Sequence, residues 1–203
     1  MKIHTLLPLY TLLAIALFGC NLPATDDDNK EEEIVEDPIY ASLEVSAPGE
    51  GEGGSISMGQ ASCSNDADTG FFQGTFSGNN NEVLSIKIKG FSTSESTYTC
   101  TQASDNTEGS IGNKYDGCSI ELVLPDPETS TNTYNMHREE ESAKAFTYTG
   151  TCTISTTYTD PQVEGSIACD GLIQTALQGA ARNPIDQEVT ASILSGSTFE
   201  CEI

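Results

Sequence analysis

From about residue 40 to the C-terminus, apolar positions recur with a period of two. Leu84, Ile86 and Ile88 alternate with Ser85, Lys87 and Lys89, as in a strand with one face in a core and the other in water. Cys118, Ile120, Leu122 and Leu124 repeat the pattern against Ser119, Glu121 and Val123. Phe146, Tyr148, Cys152 and Ile154 share one face, while Thr147, Thr149, Thr151 and Thr153 share the other. Ile167 with Cys169, and Phe199 with Cys201 and Ile203, continue it. Further strands are expected over Tyr40–Ser46, Gly54–Gln60, Phe71–Phe76, Thr97–Gln102, Thr133–Arg138 and Glu188–Leu194. Turn clusters such as Gly78-Asn79-Asn80-Asn81 and Thr159-Asp160-Pro161-Gln162 separate the runs. The only helix candidates are short, Leu172–Ala181 and Arg138–Ala145. Many short strands punctuated by turns predict an all-β fold, an antiparallel sandwich or partly closed barrel stapled by disulfides, with the sandwich favoured.

The first 20 residues break the period. Met1-Lys2 precedes an apolar run from Leu6 to Phe18 that stops at Gly19-Cys20. The run is too short to span a bilayer as a helix and has a basic residue in front, the layout of a secretory signal peptide. Leu17-Phe18-Gly19-Cys20 resembles the lipobox of bacterial envelope lipoproteins, with Leu three places before the Cys and a small residue directly before it. The resemblance implies that residues 1–19 are removed and that Cys20 becomes the lipidated first residue, holding the protein to a membrane. The competing reading is a plain secretory signal with an incidental cysteine. An ordinary cleavage site, however, wants small residues at both −1 and −3, and no such pair stands near Gly19.

Residues 20–38 form an acidic tether, with eight acids between Asp26 and Asp37 against Lys30 alone. Like charges of this density repel and extend a chain. Asp26-Asp27-Asp28 also resembles surface-export signals of some Gram-negative lipoproteins, and the same resemblance implies the outer membrane, because Asn21 stands after Cys20 where Asp favours inner-membrane retention in enteric bacteria. Residues 39–203 then make a single β-rich domain.

Setting Cys20 aside leaves six of the seven cysteines, an even number suited to three disulfides. Cys100 and Cys118 flank a polar loop and match two limbs of one hairpin. Cys152 and Cys169 are equidistant from the Asp160-Pro161 turn. Cys63 and Cys201 then remain to join the ends of the domain. Every pairing of six cysteines stays formally open. Disulfides demand an oxidising compartment, which export supplies.

Charge and composition narrow the chemistry. Thirty-one acidic residues face 8 basic ones, a net charge of −23, and a field of that sign repels nucleic acid. His4 leaves with the signal, so His137 is the one histidine of the mature protein and reads as an ordinary surface residue. No Gly-x-Ser-x-Gly elbow, His-Glu-x-x-His pair, P-loop or Cys-x-x-Cys occurs. Acidic pairs could serve glycoside hydrolysis, but 31 acids make such a pair unspecific, and there is no tryptophan to form a sugar platform. Asn65–Gly70 and Asp105–Gly109 are oxygen-rich loops of the kind calcium uses, yet neither follows the twelve-residue calcium-loop pattern. Glu139-Glu140-Glu141 reads as a solvated run. The sequence therefore points to no enzyme, no cofactor and no metal. It favours an envelope lipoprotein whose β-domain binds or adheres, with an unspecified protein or glycan partner. The alternatives are a structural envelope component without a soluble ligand and, third, a hydrolase.

Overall fold

A computed structural model describes residues 38–48, 53–66, 68, 70–102, 115–128, 130–135, 150–178 and 181–203. Within them the chain is all-β. The strands are β1 (Ala41–Ser46), β2 (Gly54–Asp66), β3 (Phe71–Gly78), β4 (Val83–Lys89), β5 (Ser96–Gln102), β6 (Tyr115–Asp116), β7 (Cys118–Asp126), β8 (Ser130–Asn135), β9 (Thr151–Thr159), β10 (Gln162–Gln178) and β11 (Ala181–Glu202). The helix expected over Leu172–Ala181 is not present. Leu172–Gln178 completes β10, because it runs into a tight hairpin in which Gln178 pairs with Ala181 and every residue from Leu177 back to Leu172 finds a partner region on β11. Leu172 and Ile173 are both buried, and such an apolar run suits a strand enclosed on both sides as well as it suits a helix. The other helix candidate, 138–145, lies outside the described residues.

The strands close into an eight-stranded antiparallel barrel. Its order is β11-β1-β2-β3-β4-β7-β8-β10, and the β10–β11 ladder completes the ring. Local alternation is the same in a sandwich and a barrel, so the ring depends on what alternation cannot reveal. The register shifts four times along β10–β11 and once along β1–β11. Such irregularities bend and twist a strand, so that one strand can serve two parts of the wall. One edge of β10 meets β11 throughout. The other meets β9 over Gln162–Asp170 and β8 over Ile173–Thr175. β5 pairs with the far edge of β9, and β6 pairs with β5 before the chain enters β7. The gap between β10 and β7 is thus spanned by β8 at one level and by β9 with β5 at the other.

Alternation sends the apolar side chains inward. Leu43, Met58, Phe72, Phe76, Leu84, Ile86, Ile88, Leu122, Leu124, Tyr134 and Ile154 have no exposed surface. Phe76 and Phe199 meet across the interior with ring centroids 5.6 Å apart, and Phe72 stacks on Phe91 at 5.0 Å. Apolar-in, polar-out is the inverse of a membrane-spanning barrel, whose lipid-facing band is apolar. Among the described residues no helix is long and apolar enough to cross a membrane either.

Candidate functional site

All six cysteines of the domain are bridged. The pairs are Cys63–Cys201, Cys100–Cys118 and Cys152–Cys169: two that hairpin spacing suggests and the one that those two leave over. Each has a definite place in the wall. Cys152 and Cys169 lie directly opposite each other on β9 and β10, with Cα atoms 4.0 Å apart. Cys100 and Cys118 tie β5 to β7 at 4.6 Å. Gly117, with φ 72°, stands between β6 and β7 and leaves only 3.0 Å from an added Cβ to the Thr99 carbonyl oxygen. Its left-handed backbone lets the chain turn from its pairing with β5 to its pairing with β4.

Cys63–Cys201 closes a seam. β1 pairs with β2 only as far as Met58, so past that point no strand among the described residues lies between β2 and β11. Their Cα atoms at the bridge are 6.2 Å apart, well short of the two strand spacings, about 9.6 Å, that an intervening strand would need. The bridge draws the two edges together where no ladder does.

With apolar side chains filling the inside, most polar side chains stand on the outer face. One row of that face is made entirely of hydroxyl side chains. Thr97 on β5 pairs with Ser155 on β9, Ser155 with Ser166 on β10, and Ser166 with Thr198 on β11. Thr198 pairs with Ser42 on β1, and Ser42 with Ser57 on β2. All are exposed except Ser155, which is half-buried. The Thr97 and Ser155 hydroxyls lie 3.0 Å apart, within hydrogen-bonding distance. Along β9 the same face carries Thr151, Thr153, Ser155, Thr157 and Thr159, with no charge among them. Strand geometry spaces such residues about 6.8 Å along a strand and about 4.8 Å between strands.

A shallow depression of about 250 Å³ opens on this face, where Ile39 and Tyr40 rise beside Ser42, Thr198, Glu164 and Glu200. Ile39 is 54% exposed. Glu164 and Glu200 are direct cross-strand partners, a like-charge pairing that costs stability. At the neighbouring turn, which contains a cis Asp160-Pro161 bond, the Tyr158 hydroxyl donates a 2.9 Å hydrogen bond to the Asp160 carboxylate. That bond, with the nearby negative charge, raises the Tyr158 pKa above the usual phenol range.

Of the oxygen-rich loops, Asn65–Gly70 is held by its own turn. The Asp68 amide donates to the Asp66 carboxylate, and the Gly70 amide to the Asp66 carbonyl. No three His, Cys, Asp or Glu side chains among the described residues gather as metal ligands. Cys20, the acidic tether up to Asp37, Asp105–Gly109, His137 and Glu139-Glu140-Glu141 all lie outside the described residues. The hydroxyl row was not legible in the sequence, since its six members lie on six strands and align only through register. The Thr alternation around 147–153 was its one local signal.

Comparison with known protein families, curated proteins and solved structures finds no match for the chain.

Proposed function

We propose that this is a lipid-anchored envelope protein whose barrel binds through its outer hydroxyl face and performs no catalysis. The Leu17-Phe18-Gly19-Cys20 sequence supports removal of residues 1–19 and lipidation of Cys20. Two or three acyl chains exceed the marginal binding of a single one, so a stable anchor needs no membrane-spanning helix. The acidic tether then holds the barrel away from the bilayer, at the outer membrane and on the cell surface. The observation that carries the binding role is the six-strand row from Thr97 to Ser57. It is uncharged on a protein of net charge −23, and it presents donors and acceptors at regular intervals. That chemistry suits a neutral, hydroxyl-rich or amide-rich surface, such as a glycan or an extended protein segment.

The test compares the natural protein with Ser166→Arg/Thr198→Arg, which puts two long cations in the middle of the row without touching the core. Cross-linking on intact cells should capture a recurrent partner with the natural protein and at least tenfold less of it with the variant. Equal capture by both would remove the row from the account. Recovery of bulk envelope material alone, by both, would favour a structural component without a specific ligand.

A further inference from the structure

Four cysteines lie in one transverse row of the wall, in the order Cys118, Cys100, Cys152, Cys169 across β7, β5, β9 and β10. The outer two intervals are the disulfides Cys100–Cys118 and Cys152–Cys169. The middle interval joins direct neighbours as well, because Cys100 and Cys152 are partners in the β5–β9 ladder. All four are buried on the inner face, so the sulfurs of Cys100 and Cys152 point to the same side. Directly opposed strand residues have Cβ atoms about 4.5–5.5 Å apart, and a disulfide needs about 3.5–4.5 Å. A shift of an ångström or less allows the third pairing.

We propose that this row is a redox latch in which two electrons remove both disulfides that tie the β5–β9 pair to its neighbours. An external dithiol reduces Cys100–Cys118 and is itself oxidised to a disulfide, leaving thiols at both cysteines. The Cys100 thiolate then attacks the Cys152 sulfur. The Cys100–Cys152 bond forms, the Cys152–Cys169 bond breaks, and Cys169 departs as a thiolate that takes up the proton Cys100 gave up. The product holds one disulfide inside the β5–β9 pair and free thiols on β7 and β10. Entry by the other bridge gives the same product. Without the exchange, cutting both ties would require four electrons.

The strand arrangement favours opening at this place. Among the described residues, β5 pairs on its outer edge with two residues of β6, Thr101 with Asp116 and Gln102 with Tyr115. The disulfide to Cys118 is a further tie on that side. Once the bridges move, β9 keeps its ladder to β10 but no covalent bond to the rest of the wall at this level. Cys63–Cys201 sits at the separate β2–β11 seam, and neither cysteine has a cysteine partner in its ladder, so it does not take part.

The experiment is limited reduction of the mature protein with dithiothreitol, acid quenching, alkylation with N-ethylmaleimide and peptide mapping of the two-electron-reduced fraction. The expected result is a Cys100–Cys152 cross-linked peptide, alkylated Cys118 and Cys169, and an intact Cys63–Cys201 bridge. Amide exchange in that fraction should accelerate at least tenfold in β5 and β9 but not in β3 and β4. Two-electron species holding only the original pairs, or reduction that passes to six thiols with no two-electron species, would overturn the proposal. An independent route is Cys118→Ser/Cys169→Ser, purified oxidised: a Cys100–Cys152 disulfide is expected, and a folded variant with two free thiols would contradict it.

Discussion

Thr156 points into the barrel from β9, 2% exposed, and its hydroxyl has no hydrogen-bond partner among the described residues. Its ladder partners are Ser96 and Gly165. An unpaired buried hydroxyl costs about 1–3 kcal/mol in desolvation, and valine has nearly the same shape without that group. Thr156→Val should therefore stabilise the protein by about 1 kcal/mol, read as a higher urea midpoint at unchanged slope. A lower midpoint would mean that the hydroxyl is paired. Gly165 is determined by the opposite constraint. A Cβ there would overlap the ring of Phe199, its cross-strand partner on β11. Phe199 is buried against Phe76 and cannot swing away without opening the core. Gly165→Ala should cost about 1–3 kcal/mol, the usual range for overpacking, and Gly165→Ala combined with Phe199→Leu should lose less than the two single effects added.

The disulfides act between elements, and their contributions should differ with the ring each one closes. Cys63–Cys201 spans 138 residues of sequence, against 18 and 17 for the other two. The chain-entropy model gives about 5 kcal/mol for the long ring and about 3 kcal/mol for each short one. Replacing both Cys63 and Cys201 with Ala should lower the unfolding free energy most, by denaturant titration under oxidising conditions. A smaller loss there than at Cys152/Cys169 would show that seam closure does not depend on the bridge. The elements themselves were unequally visible from sequence. Strands such as β4, with Leu84, Ile86 and Ile88 inside and Lys87 and Lys89 outside, declare themselves through strict alternation. The three disulfide pairs follow from hairpin limbs and from what those limbs leave over. β10 and β11 do not declare themselves. Leu172-Ile173 interrupts the period, Gly171 has φ 71°, and the register slips repeatedly between the two strands. Ring closure rests on these long irregular strands, so the choice between barrel and sandwich was not available locally. The hydroxyl row was hidden for a related reason: Ser42 or Thr198 alone is an ordinary outward residue, and only the ladder aligns them.

For the whole molecule, the proposed function gives the barrel, the three bridges and the anchor one history, export to an oxidising compartment followed by processing at Cys20. A chain with 7% aromatic residues and no tryptophan builds a thin core that cross-links reinforce, and the cytosol would not maintain them. Replacing Cys20 with Ala should leave a precursor that still carries residues 1–19 and separates from the membrane fraction after alkaline washing. Membrane retention of a normally processed Cys20→Ala protein would refute the anchor. The most direct test of the account is the intact, non-reduced mass of the protein extracted from cells. The account predicts the mass of residues 20–203 plus a diacylglyceryl group, with or without a further acyl chain, and lower by six hydrogens for three disulfides. An unmodified chain beginning at any other residue, or one that takes up alkylating reagent before reduction, would contradict it.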